Sequence, residues 1–331
     1  MERFALAAAV VLGFALTAAL CSLFVPLRRV LERREQNQQP VQSEQPRPAP
    51  LRAPLWAGLC AAAGTVAAVG VGWLAACVGQ PELLGSEGRL MTRLLTALAG
   101  SLAFGAVGLA EDLARMRSPA ALGLRRDVRL LLEALAAAFV LLLLQAAGCL
   151  PRGLDVPGAG YVLLGSAVPF LWAVLMVALA ECARIAERDE GTVCGAAFVA
   201  MLALMMAEAG LGVPGLAVLP AALAGALVAL LLWAFPPARL GVGCCGSLLA
   251  AGAIGCIPLS LDMTSLTVPL ALPFWAAGGL WAAQLLGAKR TGKPLRCWVK
   301  KHKMSPETVF LCSFALSAVG YVLALALLRW C

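Results

Sequence analysis

Runs of about twenty apolar residues recur along the whole of this 331-residue chain. That length and character is what an α-helix needs to cross the hydrocarbon core of a bilayer. Ten such runs are read, at about 4–27, 54–78, 90–111, 130–149, 160–182, 193–209, 213–234, 246–260, 266–287 and 308–329. The sixth and seventh are parted only by Gly210-Leu-Gly-Val-Pro214. In lipid every backbone N–H and C=O has to be satisfied within its own segment, so these runs fold as helices. Composition agrees, with 61% hydrophobic and 13% charged residues, against roughly 25% charged in soluble domains. Ala, Leu and Gly dominate the runs, which suits helices packing closely in a membrane. One such run can be a buried soluble helix, but ten in one chain are not accommodated that way, and the first is long for a cleaved signal. The expected fold is an all-α polytopic membrane protein, residues 1–331 forming a single bundle of ten transmembrane helices.

Basic residues orient the bundle, because loops rich in Lys and Arg stay in the cytoplasm. They alternate along the chain. The first loop holds Arg28, Arg29, Arg33, Arg34, Arg47 and Arg52, and the third holds Arg115, Arg117, Arg125, Arg126 and Arg129. Arg184 and Arg188 follow on that side, then Arg239, then the run from Lys289 to Lys303, while the opposite loops keep Arg89, Arg93 and Arg152. Odd-numbered loops are therefore cytoplasmic, both termini lie outside, and the net charge of +8 sits on the inner face. A basic inner face meets anionic lipid headgroups. Nucleic acid is excluded as a partner, since there is no soluble basic domain to bind it.

The twelve cysteines are scattered, mostly inside apolar runs, with no C-x-x-C pair and a single histidine, His302. No zinc pattern results, and a buried thiol is most often a small hydrophobe. Cys244 and Cys245 stand together in Gly243-Cys-Cys-Gly-Ser-Leu248, where they read as small residues opening a helix. Residues 35–50, polar and rich in Gln and Pro, form a flexible cytoplasmic linker.

The cytoplasmic loops resemble, in order and content, those of the phospho-N-acetylmuramoyl-pentapeptide transferases. Pro54-Leu-Trp-Ala-Gly58 stands where that family carries P-T-M-G-G, and Gly108-Leu-Ala-Glu-Asp-Leu-Ala-Arg115 takes the place of G-F-x-D-D-Y-x-K. Leu122-Gly-Leu-Arg-Arg-Asp-Val-Arg-Leu130 continues as L-G-L-x-x-x-x-K-L. Glu181-Cys-Ala-Arg-Ile-Ala-Glu-Arg-Asp-Glu-Gly191 lines up with N-A-V-N-L-T-D-G-L-D-G, the Cys244 stretch with G-D-T-G-S-L, and Pro294-Leu-Arg-Cys-Trp298 with P-L-H-H-H.

The resemblance implies a multi-pass protein of the bacterial inner membrane. Its reaction in peptidoglycan precursor synthesis moves a phospho-sugar from a uridine diphosphate donor onto undecaprenyl phosphate with the help of Mg²⁺. Two polyanions have to meet, so carboxylates hold a hard cation through oxygen, the cation neutralises the diphosphate, and cationic side chains steady the phosphates. On the matching positions the candidate catalytic residues are Glu111, Asp112, Glu187 and Glu190. The candidate metal positions are Asp112, Glu187 and Cys244, and the candidate phosphate or substrate contacts are Arg129, Arg184, Arg296, Cys297 and Trp298.

These positions depart from the family pattern. Glu111 replaces the first aspartate, Glu187 and Glu190 replace two more, Glu181 and Arg184 replace asparagines, Cys244 replaces the last metal aspartate, and Arg296, Cys297 and Trp298 replace three histidines. A soft thiol is a poor Mg²⁺ ligand, and a site that tolerates little displacement does not absorb three lengthened carboxylates. The main reading is a divergent family member whose transfer chemistry is lost or weak. Its partners would be polyprenyl phosphate and anionic lipids, and a homodimer is one assembly open to it. The alternatives are an active phosphoglycosyl transferase with a rebuilt Mg²⁺ site and a uridine diphosphate sugar donor, and a multi-span transporter. A transporter site is expected near the midplane, whereas the charges here crowd the cytoplasmic ends.

The orientation has a direct check. A thiol introduced at Ser43 or Thr291 should react with a membrane-impermeant label only from the cytoplasmic side, and reaction only from the outer side would reverse the topology.

Overall fold

The structure, a computed structural model, describes residues 2–37, 56–79, 88–117, 123–156, 160–163, 165–187, 191–213, 215–236, 240–286 and 305–328. Each of the ten apolar runs holds a helix. In chain order these are α1 (Glu2–Asn37), α2 (Trp56–Gly79), α3 (Gly88–Arg117), α4 (Arg126–Ala146), α5 (Ala167–Ala186), α6 (Thr192–Gly210), α7 (Val218–Ala234), α8 (Gly243–Ser260), the short α9 (Thr267–Leu270), α10 (Leu272–Leu286) and α11 (Pro306–Leu328). Among the described residues, seven are long and apolar enough to cross a membrane. The number is eight if Thr264–Leu270 and Leu272–Ala282, which meet at a 65° bend, form one broken span. Helix α7 has 17 residues, and α4 carries Arg126, Asp127, Arg129 and Glu133 in its first two turns. The chain is an all-α, multi-pass membrane protein. Exposed apolar side chains such as Leu74, Leu142, Phe170 and Val322 cover its outside, where lipid is the solvent.

Two features differ from the sequence reading. The run expected over 266–287 is interrupted: a 3₁₀ turn at Thr264–Leu266, then α9, then α10. Pro269 and Pro273 fall in this region, and a proline disturbs the hydrogen bond and the carbonyl one turn before it. The run expected from 160 begins instead as a strand. β1 (Gly153–Val156) and β2 (Gly160–Leu163) pair antiparallel, Gly153 opposite Leu163 and Val156 opposite Gly160, and β1 leans on the 3₁₀ turn. The short β-branched and glycine-bounded segments here suit a hairpin, and helix α5 starts only at Ala167.

Helix α8 is the axis of the bundle. All 18 of its residues are buried, and it packs most extensively on α3, with α2, α5 and α6 also against it. The reason lies in its sequence, GCCGSLLAAGAIGCIPLS, whose small residues let neighbouring backbones approach closely. Helix α3 answers with glycines on the facing side. A Cβ at Gly108 would lie 2.2 Å from the carbonyl oxygen of Cys244, and one at Gly105 would lie 3.3 Å from Leu249. Helix α2 approaches the same end of α8, where a Cβ at Gly58 would stand 2.3 Å from the backbone N of Gly246. A second close-packed layer joins α1 to α7 and α2.

Gly108→Ala should therefore cost about 1–3 kcal/mol, the usual range for overpacking. Gly70→Ala, where nothing lies within 4 Å, should be neutral or stabilising because alanine is the better helix former by about 1 kcal/mol. Thermal unfolding of the two variants in detergent would check this pair, and equal behaviour would contradict the described packing.

Candidate functional site

Three chain segments bring charged side chains to one end of the bundle, against the first turn of α8: the last two turns of α3, the first two of α4, and the last turn of α5 with Glu187 behind it. On the reading of the basic loops, this end is the one expected to face the cytoplasm. The hairpin β1–β2 lies at the opposite end, since α4 leaves the site and α5 returns to it.

The closest link runs between α3 and α8. Helix α8 opens at Gly243, whose φ of +72° falls in the left-handed region that glycine adopts without strain. Its flanking residue Val242 offers no side-chain cap, so the first amides of the helix lack intrahelical acceptors. Asp112 supplies them. The Cys244 N–H donates to its Oδ1 at 3.1 Å and the Cys245 N–H to its Oδ2 at 2.9 Å. Asp112 is 0% exposed, so one carboxylate from α3 caps the N-terminus of α8, where the helix dipole also favours negative charge.

Arg115, one turn beyond Glu111, stands among the acids. It is 2.7 Å from Glu111, 3.9 Å from Asp112 and 3.9 Å from Glu187. Gly123, at φ +69°, brings the α3–α4 loop against its side chain, so that an added Cβ would lie 3.1 Å from Arg115 Cγ. The Cys244 thiol is 3.8 Å from Glu187 Oε2. A chain of ion pairs then leads across α4 to α5. Arg129 Nη1 lies 3.5 Å from Glu111, and Arg129 Nε lies 2.7 Å from Glu181 and 4.0 Å from Glu133. Glu181 also accepts a hydrogen bond from Arg184.

Of the residues singled out in the sequence, Glu111, Asp112, Glu187, Cys244, Arg129 and Arg184 thus come together. Glu190, Arg296, Cys297 and Trp298 lie outside the described residues. Two participants were missed. Arg115 was counted only as a loop cation, although it occupies the lysine position that ends the paired-acid motif. Glu133 is 0% exposed in an apolar run, and its only signal was the four-residue spacing from Arg129, which places two side chains on one helix face. Cys244 and Cys245 do open a helix and are buried. Asp112, itself on α3, caps the start of α8.

The chain matches the model of Glycosyl transferase family 4 over residues 94–262, about half its length and the part that contains all of these described residues. It belongs to that family. Among similar proteins, the phospho-N-acetylmuramoyl-pentapeptide-transferase of Desulforudis audaxviator is 32% identical over 170 residues, 48% of this chain and 50% of that one. The protein of the same name from a Synechococcus species is 30% identical over 212 residues, 63% of this chain and 55% of that one. That of Mycobacterium tuberculosis is 27% identical over 245 residues, 66% of this chain and 67% of that one. The chain spans about half the length of the first two of these relatives.

The donor set of this family member does not fit Mg²⁺. A hard cation needs several free oxygen ligands, but both oxygens of Asp112 accept backbone N–H groups and Glu111 Oε1 faces two guanidinium groups. The third candidate metal position, Cys244, offers a thiol. Among the described residues, no three His, Cys, Asp or Glu side chains come together as a metal-binding group.

Proposed function

We propose that this chain is a divergent phospho-N-acetylmuramoyl-pentapeptide-transferase-like protein of the bacterial inner membrane, with both termini outside, in which phospho-sugar transfer to undecaprenyl phosphate is lost or weak. What it keeps is the ability to hold a polyprenyl phosphate, or another anionic lipid, at the cytoplasmic face of the bundle, alone or as a homodimer. The observation that carries this reading is the commitment of Asp112. Its two carboxylate oxygens serve the Cys244 and Cys245 amides, beside a Cys244 side chain that offers sulfur where the resembling motif offers an aspartate.

The pairing of the other substituted positions supports the same reading. Glu181 and Arg184 stand where the resembling motif carries two asparagines, and in this chain they bond to each other. Glu181 also accepts from Arg129, the residue in the lysine position of the preceding motif. Groups that would have to meet a diphosphate are thereby engaged with one another, and a guanidinium already paired with carboxylates offers less to a phosphate.

Purified protein given Mg²⁺, undecaprenyl phosphate and the uridine diphosphate muramoyl-pentapeptide donor should make little or no lipid-linked product. Loss of one well-placed charge-stabilising group commonly costs about 100- to 1000-fold in rate. Residues that act as a unit are strongly non-additive, so Cys244→Asp alone should restore nothing measurable. Full turnover by the unmodified chain would overturn the lost-activity reading. It would point instead to a rebuilt site in which Glu111→Ala or Asp112→Ala abolishes the reaction.

A further inference from the structure

We infer that Arg115 stands in for the divalent cation at this site, so that the cytoplasmic acid cluster is neutralised by a covalently attached guanidinium and takes up neither Mg²⁺ nor Mn²⁺. The inference rests on the family reading of the loops, which makes Asp112, Glu187 and Cys244 the candidate metal positions, with Glu111 as a candidate catalytic residue beside them.

Three geometric facts carry it. The Arg115 guanidinium lies within 2.7 to 3.9 Å of Glu111, Asp112 and Glu187, so one cationic side chain reaches all three acids. It is held there. Gly123 packs the α3–α4 loop against the Arg115 stem and lies near Glu111 as well, and Glu111 Oε1 is shared with Arg129. Asp112, meanwhile, has no oxygen to give without uncapping α8.

The chemistry explains why a guanidinium can take this place. It carries a permanent positive charge and a planar fork of donors, so it can pair with clustered carboxylates as an ion would. Unlike an ion it needs no ring of oxygen ligands. The loss of one such ligand at Cys244 then costs it nothing: a thiol beside Glu187 can donate to that carboxylate, whereas an aspartate at position 244 would add a fourth carboxylate to Glu111, Asp112 and Glu187.

The test titrates Mn²⁺ into full-length, chelator-treated protein in nanodiscs of zwitterionic lipid and follows free Mn²⁺ by electron paramagnetic resonance. The expected result is no saturable site on the unmodified chain, and a melting temperature that millimolar Mg²⁺ leaves unchanged. The double variant Arg115→Gln with Cys244→Asp should gain one Mn²⁺ per chain and melt at a higher temperature with Mg²⁺ than with chelator. One Mn²⁺ per chain on the unmodified protein, lost in Asp112→Asn, would overturn the inference. So would a folded double variant with no response to either ion. Should that variant fail to accumulate, the unmodified chain decides alone, because stoichiometric uptake at Asp112 contradicts the inference and its absence bears it out. The outcome is separable from the activity reading. Turnover that persists in chelator would defeat that reading and leave Arg115 in its role, whereas Mn²⁺ uptake without turnover would defeat only the role of Arg115.

Discussion

The contact on which this bundle depends is a carboxylate meeting the start of a buried helix. Helix α8 runs through the middle with every residue buried, so its first amides have neither water nor a neighbouring strand to bond them. An unsatisfied buried backbone donor costs about 1–3 kcal/mol. Asp112 answers two of them at once, and Gly108, one turn earlier on α3, lets the two backbones come close enough for it to do so. Removing the aspartate would leave two donors orphaned in the most densely packed part of the protein. Replacing Cys244 would not have that effect, because the Cys244 contribution is its N–H. This difference explains how a chain can keep the second acid of its paired-acid motif while giving up the aspartate expected at position 244.

The ion pairs beside that contact follow from the membrane. Ionised groups are expensive within a bilayer and persist at helix ends or in pairs. Here Glu111, Arg115, Arg129, Glu181 and Arg184 are strung across three helices with partners at every step. Breaking such a network by removing one partner is costly, because the remaining charge stays buried and unpaired. The network also ties the start of α4 to the end of α5, whose direct packing is modest beside that of α3 on α8. Its members are the substituted motif positions themselves. Groups that resemble a catalytic constellation in the sequence therefore act, in the fold, as polar fasteners between helices.

Much of the architecture was legible because a bilayer leaves little choice. Twenty apolar residues specify a helix, and Gly and Ala on facing sides specify close packing. The hairpin at 153–163 escaped because its strands are four residues long and the second continues directly into an apolar run that reads as helix. The break between α9 and α10 escaped because hydropathy does not register how prolines divide an apolar stretch. At the site, motif order was enough to gather Glu111, Asp112, Glu187 and Cys244, although 132 positions separate Asp112 from Cys244 in the chain. What motif order could not supply was direction. That Asp112 turns towards backbone amides, and that Arg115 rather than a loop lysine stands among the acids, depends on the depth at which α8 begins, which no local pattern encodes.

The most direct measurement is the unfolding free energy of Asp112→Ala beside the unmodified chain, both in detergent with chelator present. Two charge-assisted hydrogen bonds to the α8 terminus are lost, so the variant should be less stable by at least about 2 kcal/mol. Asp112→Asn, which keeps an acceptor oxygen, should fall between the two. An aspartate reserved for a metal ion would behave in the opposite way, because without the ion its removal relieves repulsion among the acids. Equal or greater stability of Asp112→Ala in chelator would contradict the account.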